Sequence, residues 1–198
     1  MRADQKEITN WLSKTIGNNS FNIEELRQEA SDRKYYRIKA DNVSYVIADN
    51  FDKTDQSANF LYASKILKNS SVNVPEVLAF SEDLRFLLLQ DLGDKSLDTD
   101  KEFKDEKILE MALEQLSKIY FSDQDVLRSA TKESLLIQTN SFIDFCKENK
   151  LSNDELKALE NLRNNLVQNL LNQQFIPTHN DFERRNLMMF EENLFVID

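Results

Sequence analysis

Glycine, proline and histidine are scarce in this sequence of 198 residues, which has two glycines, two prolines and one histidine. Turns must therefore be sought in clusters of Asn, Asp and Ser rather than at glycine and proline. No apolar run approaches the roughly 20 residues that a membrane-spanning helix needs. Residues 1–20 are polar and lack the apolar core of a signal peptide. We therefore expect a cytosolic protein that does not enter a membrane.

Cysteine is limited to Cys146, so no internal disulfide is possible. The residue lies in a helical pattern of apolar side chains that includes Phe142 and Phe145. We interpret it as a buried small hydrophobe.

Positive charge is in deficit, with 25 Lys and Arg against 35 Asp and Glu and a net charge of −10. Such a chain repels nucleic-acid backbones and anionic membranes, so we expect no nucleic-acid partner. The same field repels ATP. Any nucleotide site must therefore supply local cations, either Mg²⁺ or clustered Lys and Arg.

The hydrophobic pattern changes from strands to helices along the chain. Strands are predicted at 26–30, 35–40, 44–49, 77–81 and 86–92, interrupted by one helix at 56–69. Helical periodicity begins near Phe103. This order indicates an α+β protein with a sheet lobe at 1–92 and a helical lobe at 93–198, and a ligand site in the cleft between them. We expect a monomer.

A leucine-rich helix precedes the C-terminal segment. Ser152 and Glu155 form a capping-box pattern at its start. The predicted core-facing stripe consists of Leu156, Leu159, Leu162, Leu166 and Leu170.

The chain then reads P-T-H-N-D-F-E-R-R-N from Pro177 to Asn186, followed by apolar runs at 187–190 and 194–197. The two runs predict a hairpin with a three-residue turn at 191–193, which would pair Asn186 with Asp198. Directly paired residues lie ~4.5 to 5.5 Å apart at Cα. An amide oxygen and a carboxylate at that spacing suit a hard cation such as Mg²⁺.

Asp181 lies five residues before Asn186, and the spacing His-x-Asp-x-x-x-x-Asn is that of a kinase catalytic loop. Phosphoryl transfer needs a carboxylate to accept the proton of the attacking hydroxyl and oxygen ligands for the metal. We therefore predict Asp181 as catalytic base and Asn186 and Asp198 as metal ligands. The alternative makes Asp181 a turn residue, Asn186 a strand cap and His179 a loop anchor. A lone histidine could also act as general base; we assign that role to Asp181 and an anchoring role to His179.

These residues resemble the aminoglycoside-phosphotransferase and choline-kinase superfamily, which has a two-lobe, protein-kinase-like fold. The segments T-H-N-D at 178–181 and R-R-N-L-M at 184–188 carry the resemblance. L-L-L-Q-D-L-G-D at 87–94 is similar to the segment joining the lobes, and 29–37 is similar to the hairpin loop over the phosphates. Within the superfamily, the chain is most similar to bacterial anomeric kinases for N-acetylmuramate and N-acetylglucosamine.

The resemblance implies an ATP- and Mg-dependent kinase that phosphorylates a sugar or amino-sugar hydroxyl. It implies adenine held by backbone groups from Gln90 to Leu92. It also implies that phosphates lie beside Ser31, Arg33 and Lys34, whose side chains can donate to them. The same three residues also fit an ordinary charged turn.

Two departures from the family keep other functions open. The strand at 45–49 has no lysine for the phosphates, and the helix at 56–69 has no carboxylate to pair with one. Family members also continue well past the Ile-Asp at 197–198, which implies a C-terminally truncated chain. A nucleotide-binding pseudokinase or inactive fragment, and a purely structural acidic module, are therefore the alternatives to an active kinase.

Overall fold

The computed structural model describes residues 3–26, 33–51, 54–98, 105–122 and 129–197. The chain forms two compact units, one made of Met1–Ser122 with Thr178–Asp198 and the other of Asp123–Pro177. The lobe boundary predicted between residues 92 and 93 follows a different division and stays a prediction. In the described ranges, no helix is long and apolar enough to cross a membrane.

The first unit contains both strands and helices, and the predicted α+β class is confirmed. Its elements in chain order are α1 (Ala3–Ile16), β1 (Asn22–Glu25), β2 (Lys34–Ala40), β3 (Val43–Asp49), α2 (Thr54–Asn69), β4 (Val77–Phe80), β5 (Phe86–Gln90), α3 (Glu106–Tyr120), a 3₁₀ turn (Arg184–Asn186), β6 (Leu187–Phe190) and β7 (Asn193–Val196).

Five strands form one antiparallel sheet in the order β1-β2-β3-β5-β4. Alternate side chains point to opposite faces. Ile38, Ile47 and Leu88 form the core of one face, and Ala48, Leu87 and Leu89 form the core of the other. The predicted strands at 35–40, 44–49, 77–81 and 86–92 are confirmed to within two residues at each end.

Helix α1 covers the first face of the sheet and was not predicted. Its Ile8 and Leu12 side chains are fully buried, and Trp11 and Ile16 pack beside them. These residues follow the i, i+3, i+4, i+8 spacing of an apolar helix face. The spacing went unrecognised because polar residues occupy every position between them.

Arg85, the residue before β5, lies on the face of the sheet that α1 covers. Arg85 donates to Asp49 at 3.0 Å and also pairs with Glu7 of α1. Its guanidinium carbon lies 4.6 Å from the centre of the Phe51 ring and 4.7 Å from that of Phe86. The cation is therefore paired with carboxylates and sandwiched by aromatic faces.

Helix α2 covers the second face, where Phe60 and Leu61 pack against Ala48 and Leu87. The helix predicted at 56–69 is thus confirmed. The first strand lies earlier in the chain than predicted, because β1 covers Asn22–Glu25. Leu26 follows β1 and donates its backbone N–H to the Tyr35 carbonyl at 2.9 Å. The remainder of the strand predicted at 26–30 lies outside the described residues.

The β6–β7 hairpin has a core of its own, in which Leu187, Leu194 and Val196 pack with Ala112 and Ile119 of α3. Asn73, which follows α2, is hydrogen-bonded to both α3 and β7. Its backbone N–H donates to the buried Gln115 side chain of α3 at 2.8 Å, and its Nδ2 donates to the Leu194 carbonyl at 3.0 Å. Its carbonyl accepts from Val196 at 2.9 Å.

The second unit contains α4 (Lys132–Gln138), α5 (Asn140–Glu148) and α6 (Asn153–Leu171). The capping box predicted at Ser152 and Glu155 is confirmed, since both reciprocal bonds are present. Cys146 is buried on α5, as predicted.

The leucine stripe predicted for α6 is wrong for its last three members. Leu162, Leu166 and Leu170 are exposed by 54%, 54% and 43%, and Val167 is the buried residue. Leu156 and Leu159, in contrast, are half-buried, and α6 as a whole packs against α4 and α5. A helix that is apolar on two sides can bury only the side that its neighbours cover.

A buried arginine fixes the segment that leaves β5. Arg37 of β2 donates to both carboxylate oxygens of Asp91, at 2.8 and 3.1 Å, to Asp94 at 2.6 Å, and to the Gly93 carbonyl at 2.8 Å. Ser44 of β3 donates to Asp91 at 2.5 Å, and the Gly93 N–H donates to it at 2.9 Å. We call this set of residues the Arg37 clamp.

Within the clamp, hydrogen bonds and charge pairing together affect the pKa values of Asp91 and Arg37 more than burial does. Burial alone would raise the pKa of Asp91, but hydrogen bonds from Ser44, Gly93 and Arg37 bring that pKa below its ordinary value of 3.8. Burial likewise opposes the charge of Arg37, and its bonds to Asp94 and Asp91 raise the pKa of the guanidinium. Both groups are therefore charged at neutral pH.

The predicted register of the β6–β7 hairpin is wrong by one residue. Leu187 pairs with Val196 and Phe190 with Asn193, so the loop has two residues, not three. Glu191 and Glu192 both lie in the left-handed region, with φ of 46° and 64°. This two-residue loop suits the twist of the strands, although glutamate lacks the usual preference for it.

Replacing Glu191-Glu192 by Asn-Gly should stabilise the first unit. Left-handed backbone costs an ordinary residue roughly 1–2 kcal/mol, so relief at these positions should raise the free energy of unfolding by about 1 kcal/mol or more. Denaturant unfolding measures the gain. The matched control is Ala-Ala, which removes both charges but keeps the strain and should give no comparable gain. Equal gains in the two variants would show that charge, not backbone conformation, is responsible.

The clamp also makes stability depend on pH. Because the folded-state pKa of Asp91 is below 3.8, its stabilisation is complete above that pH and is lost as the pH falls through the folded value. The free energy of unfolding should therefore fall less steeply below about pH 4 in Asp91→Asn. The difference is at most about 1.4 kcal/mol per pH unit for one proton. An unchanged profile in Asp91→Asn would contradict the prediction.

Candidate active site

Asp181 and Asn186 lie side by side at the start of the β6–β7 hairpin. The Asn186 Nδ2 atom donates to the Asp181 carbonyl and to its carboxylate Oδ2, both at 3.0 Å. Asn186 is buried, while Asp181 is exposed. The buried amide therefore fixes the direction of an exposed carboxylate.

A series of tight turns shapes the loop around Asp181. The Asp181 N–H donates to the His179 carbonyl at 2.8 Å, and the Glu183 N–H donates to the Asp181 carbonyl at 3.0 Å. The Asn186 N–H then reaches the Glu183 carbonyl at 2.9 Å. With its backbone bonded on both sides, the loop presents Asp181 in one conformation.

Bonds to the segment after the Arg37 clamp hold this loop in place. Arg184 donates twice to the Leu97 carbonyl, at 3.1 and 2.7 Å. The Leu97 N–H donates to Leu187 at 3.0 Å, and the Met189 N–H donates to Lys95 at 2.9 Å. The chain from the sheet to Leu97 and the loop bearing Asp181 are thus bonded to each other within the first unit.

His179 is half-buried and meets the Phe182 ring edge-on, with 5.8 Å between ring centres. Its carbonyl accepts the Asp181 N–H. These contacts fit the predicted anchoring role, which stays a prediction.

The predicted metal site is only partly within the described residues, because Asp198 lies outside them. Asn186 stands opposite Ile197 in the hairpin, accepting its N–H at 3.0 Å, so the predicted direct pairing with Asp198 is wrong. No group of three or more His, Cys, Asp or Glu side chains in the described ranges is arranged to hold a metal ion. The Asp181 carboxylate and the Asn186 amide oxygen are nevertheless the hard oxygen donors that suit Mg²⁺.

Two of the predicted phosphate-binding residues, Arg33 and Lys34, lie where β2 begins and β3 ends. Arg33 donates to the buried Asn50 at 2.5 Å and to the Tyr35 hydroxyl at 3.1 Å, and its guanidinium lies 5.6 Å from the centre of the Phe60 ring. Lys34 pairs with Asp49 in the β2–β3 ladder. Arg33 is therefore held at the carboxyl end of β3, the strand that carries no lysine. Ser31 lies outside the described residues.

Gln90 and Leu92 lie where β5 leaves the sheet. The Gln90 N–H donates to the Glu76 carbonyl at 2.9 Å, and its side-chain oxygen accepts from Glu76 at 3.2 Å. Leu92 is buried. Since the sheet already uses the Gln90 N–H, the adenine contact predicted for this segment would fall to Asp91 and Leu92.

Sequence reasoning missed the role of Arg37, Ser44 and Asp91. The available signal was an arginine in the apolar strand Y-Y-R-I-K-A, where a buried charge needs a partner. The identity of that partner, 54 residues away, could not be read from local pattern.

The comparisons with known proteins identify the family of the chain. The model of the family described as "Phosphotransferase enzyme family" matches residues 22–198. The N-acetylmuramate/N-acetylglucosamine kinase of Pseudomonas aeruginosa is 29% identical over 178 residues, covering 86% of this chain and 52% of that protein. The kinase of the same name from Neisseria meningitidis serogroup B is 26% identical, covering 98% of this chain and 61% of that protein. The chain thus spans between half and two thirds of these relatives.

Solved structures agree on the fold. A ternary complex of APH(2")-IIa with streptomycin and ATP superposes with a TM-score of 0.65 at 20% identity, covering 100% of this chain and 70% of that one. The choline kinase LicA from Streptococcus pneumoniae gives 0.66 at 18% identity, covering 98% and 68%. These likenesses establish the predicted protein-kinase-like fold. With its family model matched over residues 22–198, the chain belongs to the phosphotransferase enzyme family.

Proposed function

We propose that this chain acts as an ATP- and Mg-dependent kinase on a hydroxyl group of a sugar or amino sugar. The observation that carries the proposal is the pairing of an exposed carboxylate, Asp181, with a buried amide, Asn186, at 3.0 Å in a family of phosphotransferases. The two curated relatives are N-acetylmuramate/N-acetylglucosamine kinases, which favours an amino-sugar acceptor.

In the proposed reaction, the acceptor oxygen bonds to the terminal phosphorus of ATP and the bond to ADP breaks. Asp181 orients the hydroxyl and takes its proton late, because the transition state is loose. Bound Mg²⁺ would neutralise charge on the phosphates. Asn186 and Asp198 are the proposed ligands of that ion, and Asn186 also holds Asp181 toward the acceptor.

The proposed phosphate contacts are Arg33, Lys34 and Ser31. Arg33 supports this assignment because Asn50 and Phe60 hold its guanidinium beside the end of β3. It could there supply the charge that a strand lysine supplies in many kinases. The proposed adenine contacts are backbone groups between Gln90 and Leu92.

A nucleotide-binding protein without turnover is the second candidate. It is favoured by β3, which has no lysine, and by α2, whose one acidic residue, Asp55, is exposed in the first turn. Binding of ATP without phosphate transfer to any sugar would support this candidate over the kinase.

Nucleotide binding should require Mg²⁺. At 100 times its Kd, Mg-ATP should raise the free energy of unfolding by ~2.7 kcal/mol. EDTA should remove most of this gain, because a chain of charge −10 has little else to offset the triphosphate. Thermal unfolding measures the effect. Asn186→Ala and Asp198→Ala should reduce it, while Asn193→Ala, at the start of β7, should not. Equal stabilisation by ATP with EDTA present would count against the metal site.

Asp181→Asn should abolish most of the turnover without preventing ATP binding. The variant keeps the shape of the side chain but loses its proton affinity, so kcat should fall by ~10² to 10⁴. ATP affinity should change by less than about threefold. Phosphate transfer to N-acetylmuramate and N-acetylglucosamine is the assay, and Glu183→Gln is the matched control in the same loop. A near-normal kcat in Asp181→Asn, with turnover lost in His179→Gln, would reverse the roles assigned here.

A further inference from the structure

We propose that Arg37 is a positioning residue for nucleotide binding, which sets the backbone of Asp91 and Leu92 in the conformation that receives the base. The inference rests on the proposed function and deepens it. In this proposal Arg37 contacts neither the base nor the phosphates; it acts through its bonds to the segment that leaves β5.

The hydrogen-bond geometry shows what the clamp controls. The Arg37 guanidinium reaches the side chain of Asp91, the carbonyl of Gly93 and the side chain of Asp94 at the same time. Only a planar fork of donors can serve these acceptors together. The three residues are therefore held to one another as well as to β2.

Asp91 is held too firmly to act as a ligand itself. Its Oδ2 accepts from Ser44 and Arg37, and its Oδ1 accepts from Arg37 and the Gly93 N–H. Its side chain is 7% exposed. The carboxylate thus faces the sheet, while Gly93, with a φ of 77°, turns the backbone at its other side.

A ligand at this segment would therefore bind to main-chain groups rather than to the Asp91 side chain. The sheet uses the N–H of Gln90, and the clamp uses the N–H and carbonyl of Gly93. The paired register of β3 and β5 ends at Tyr45 and Gln90, and every clamp bond to Asp91 goes to its side chain, so the described hydrogen bonds of the sheet and the clamp leave the main-chain groups of Asp91 and Leu92 for a ligand. A fixed N–H and carbonyl of this kind recognise the edge of a purine, and affinity rises when they are held in place before binding.

A variant of Arg37 separates base recognition from phosphate recognition. Arg37→Lys keeps the charge but loses the fork, so the Kd values of Mg-ATP and of adenosine should rise by the same factor, tenfold or more. The Kd of Mg-tripolyphosphate, which has no base, should stay within twofold. Calorimetric titration of the chain with these three probes gives the values.

Arg85→Lys is the matched control. It alters a second carboxylate-paired arginine, half-buried on the face of the sheet that α1 covers. It should lower the free energy of unfolding as Arg37→Lys does, yet leave the Kd of Mg-ATP within twofold. Equal weakening by both variants would show general loosening of the sheet and overturn the proposal.

If Arg37→Lys does not fold, Ser44→Ala decides the question. It removes one of the bonds to Asp91 and should raise the Kd of adenosine about threefold. Wild-type affinity for adenosine in the folded Arg37→Lys chain, or in Ser44→Ala when it must substitute, would overturn the inference and leave the proposed kinase function intact. A wild-type chain that binds neither Mg-ATP nor adenosine would instead overturn the proposed function, and the inference with it.

Discussion

The buried ion pair between Arg37 and Asp91 is the interaction on which the arrangement of the first unit depends. Burying an arginine destabilises a protein unless its charge is paired and its N–H groups are hydrogen-bonded. Here two carboxylates and a carbonyl accept hydrogen bonds from Arg37. The pair joins β2 to the segment leaving β5. Through Lys95 and Leu97, that segment is bonded in turn to the loop bearing Asp181. The sheet and the candidate catalytic loop are therefore both bonded to the short segment from Asp91 to Leu97.

The fold could be predicted where local pattern and tertiary packing agree. The β-rich runs and the capping box at Ser152 gave the right elements because periodicity and capping are local properties. α1 was missed because only four apolar residues mark it. The α6 stripe was misplaced because the helix has apolar residues on two sides, and the neighbouring helices decide which side is buried.

The candidate site could be predicted in its residues but not in its geometry. The spacing of Asp181 and Asn186 indicated the chemistry, and the two side chains do lie together. The partner of Asn186 across the hairpin was wrong because a two-residue loop in the left-handed region replaced the expected longer turn. Asp91 was read only as part of the segment between lobes, since nothing local pairs it with Arg37.

The three bonds of Asn73 have a consequence for the order of folding. They connect the segment after α2 with Gln115 and with Leu194, which is 121 positions away in the chain. Closing so long a loop is slow, because the chain loses conformational entropy before the contact that compensates for it can form. The β6–β7 hairpin therefore depends on contacts that the folding of its own segment cannot supply. The candidate catalytic loop, which opens that hairpin, depends on the same long-range closure for its native position.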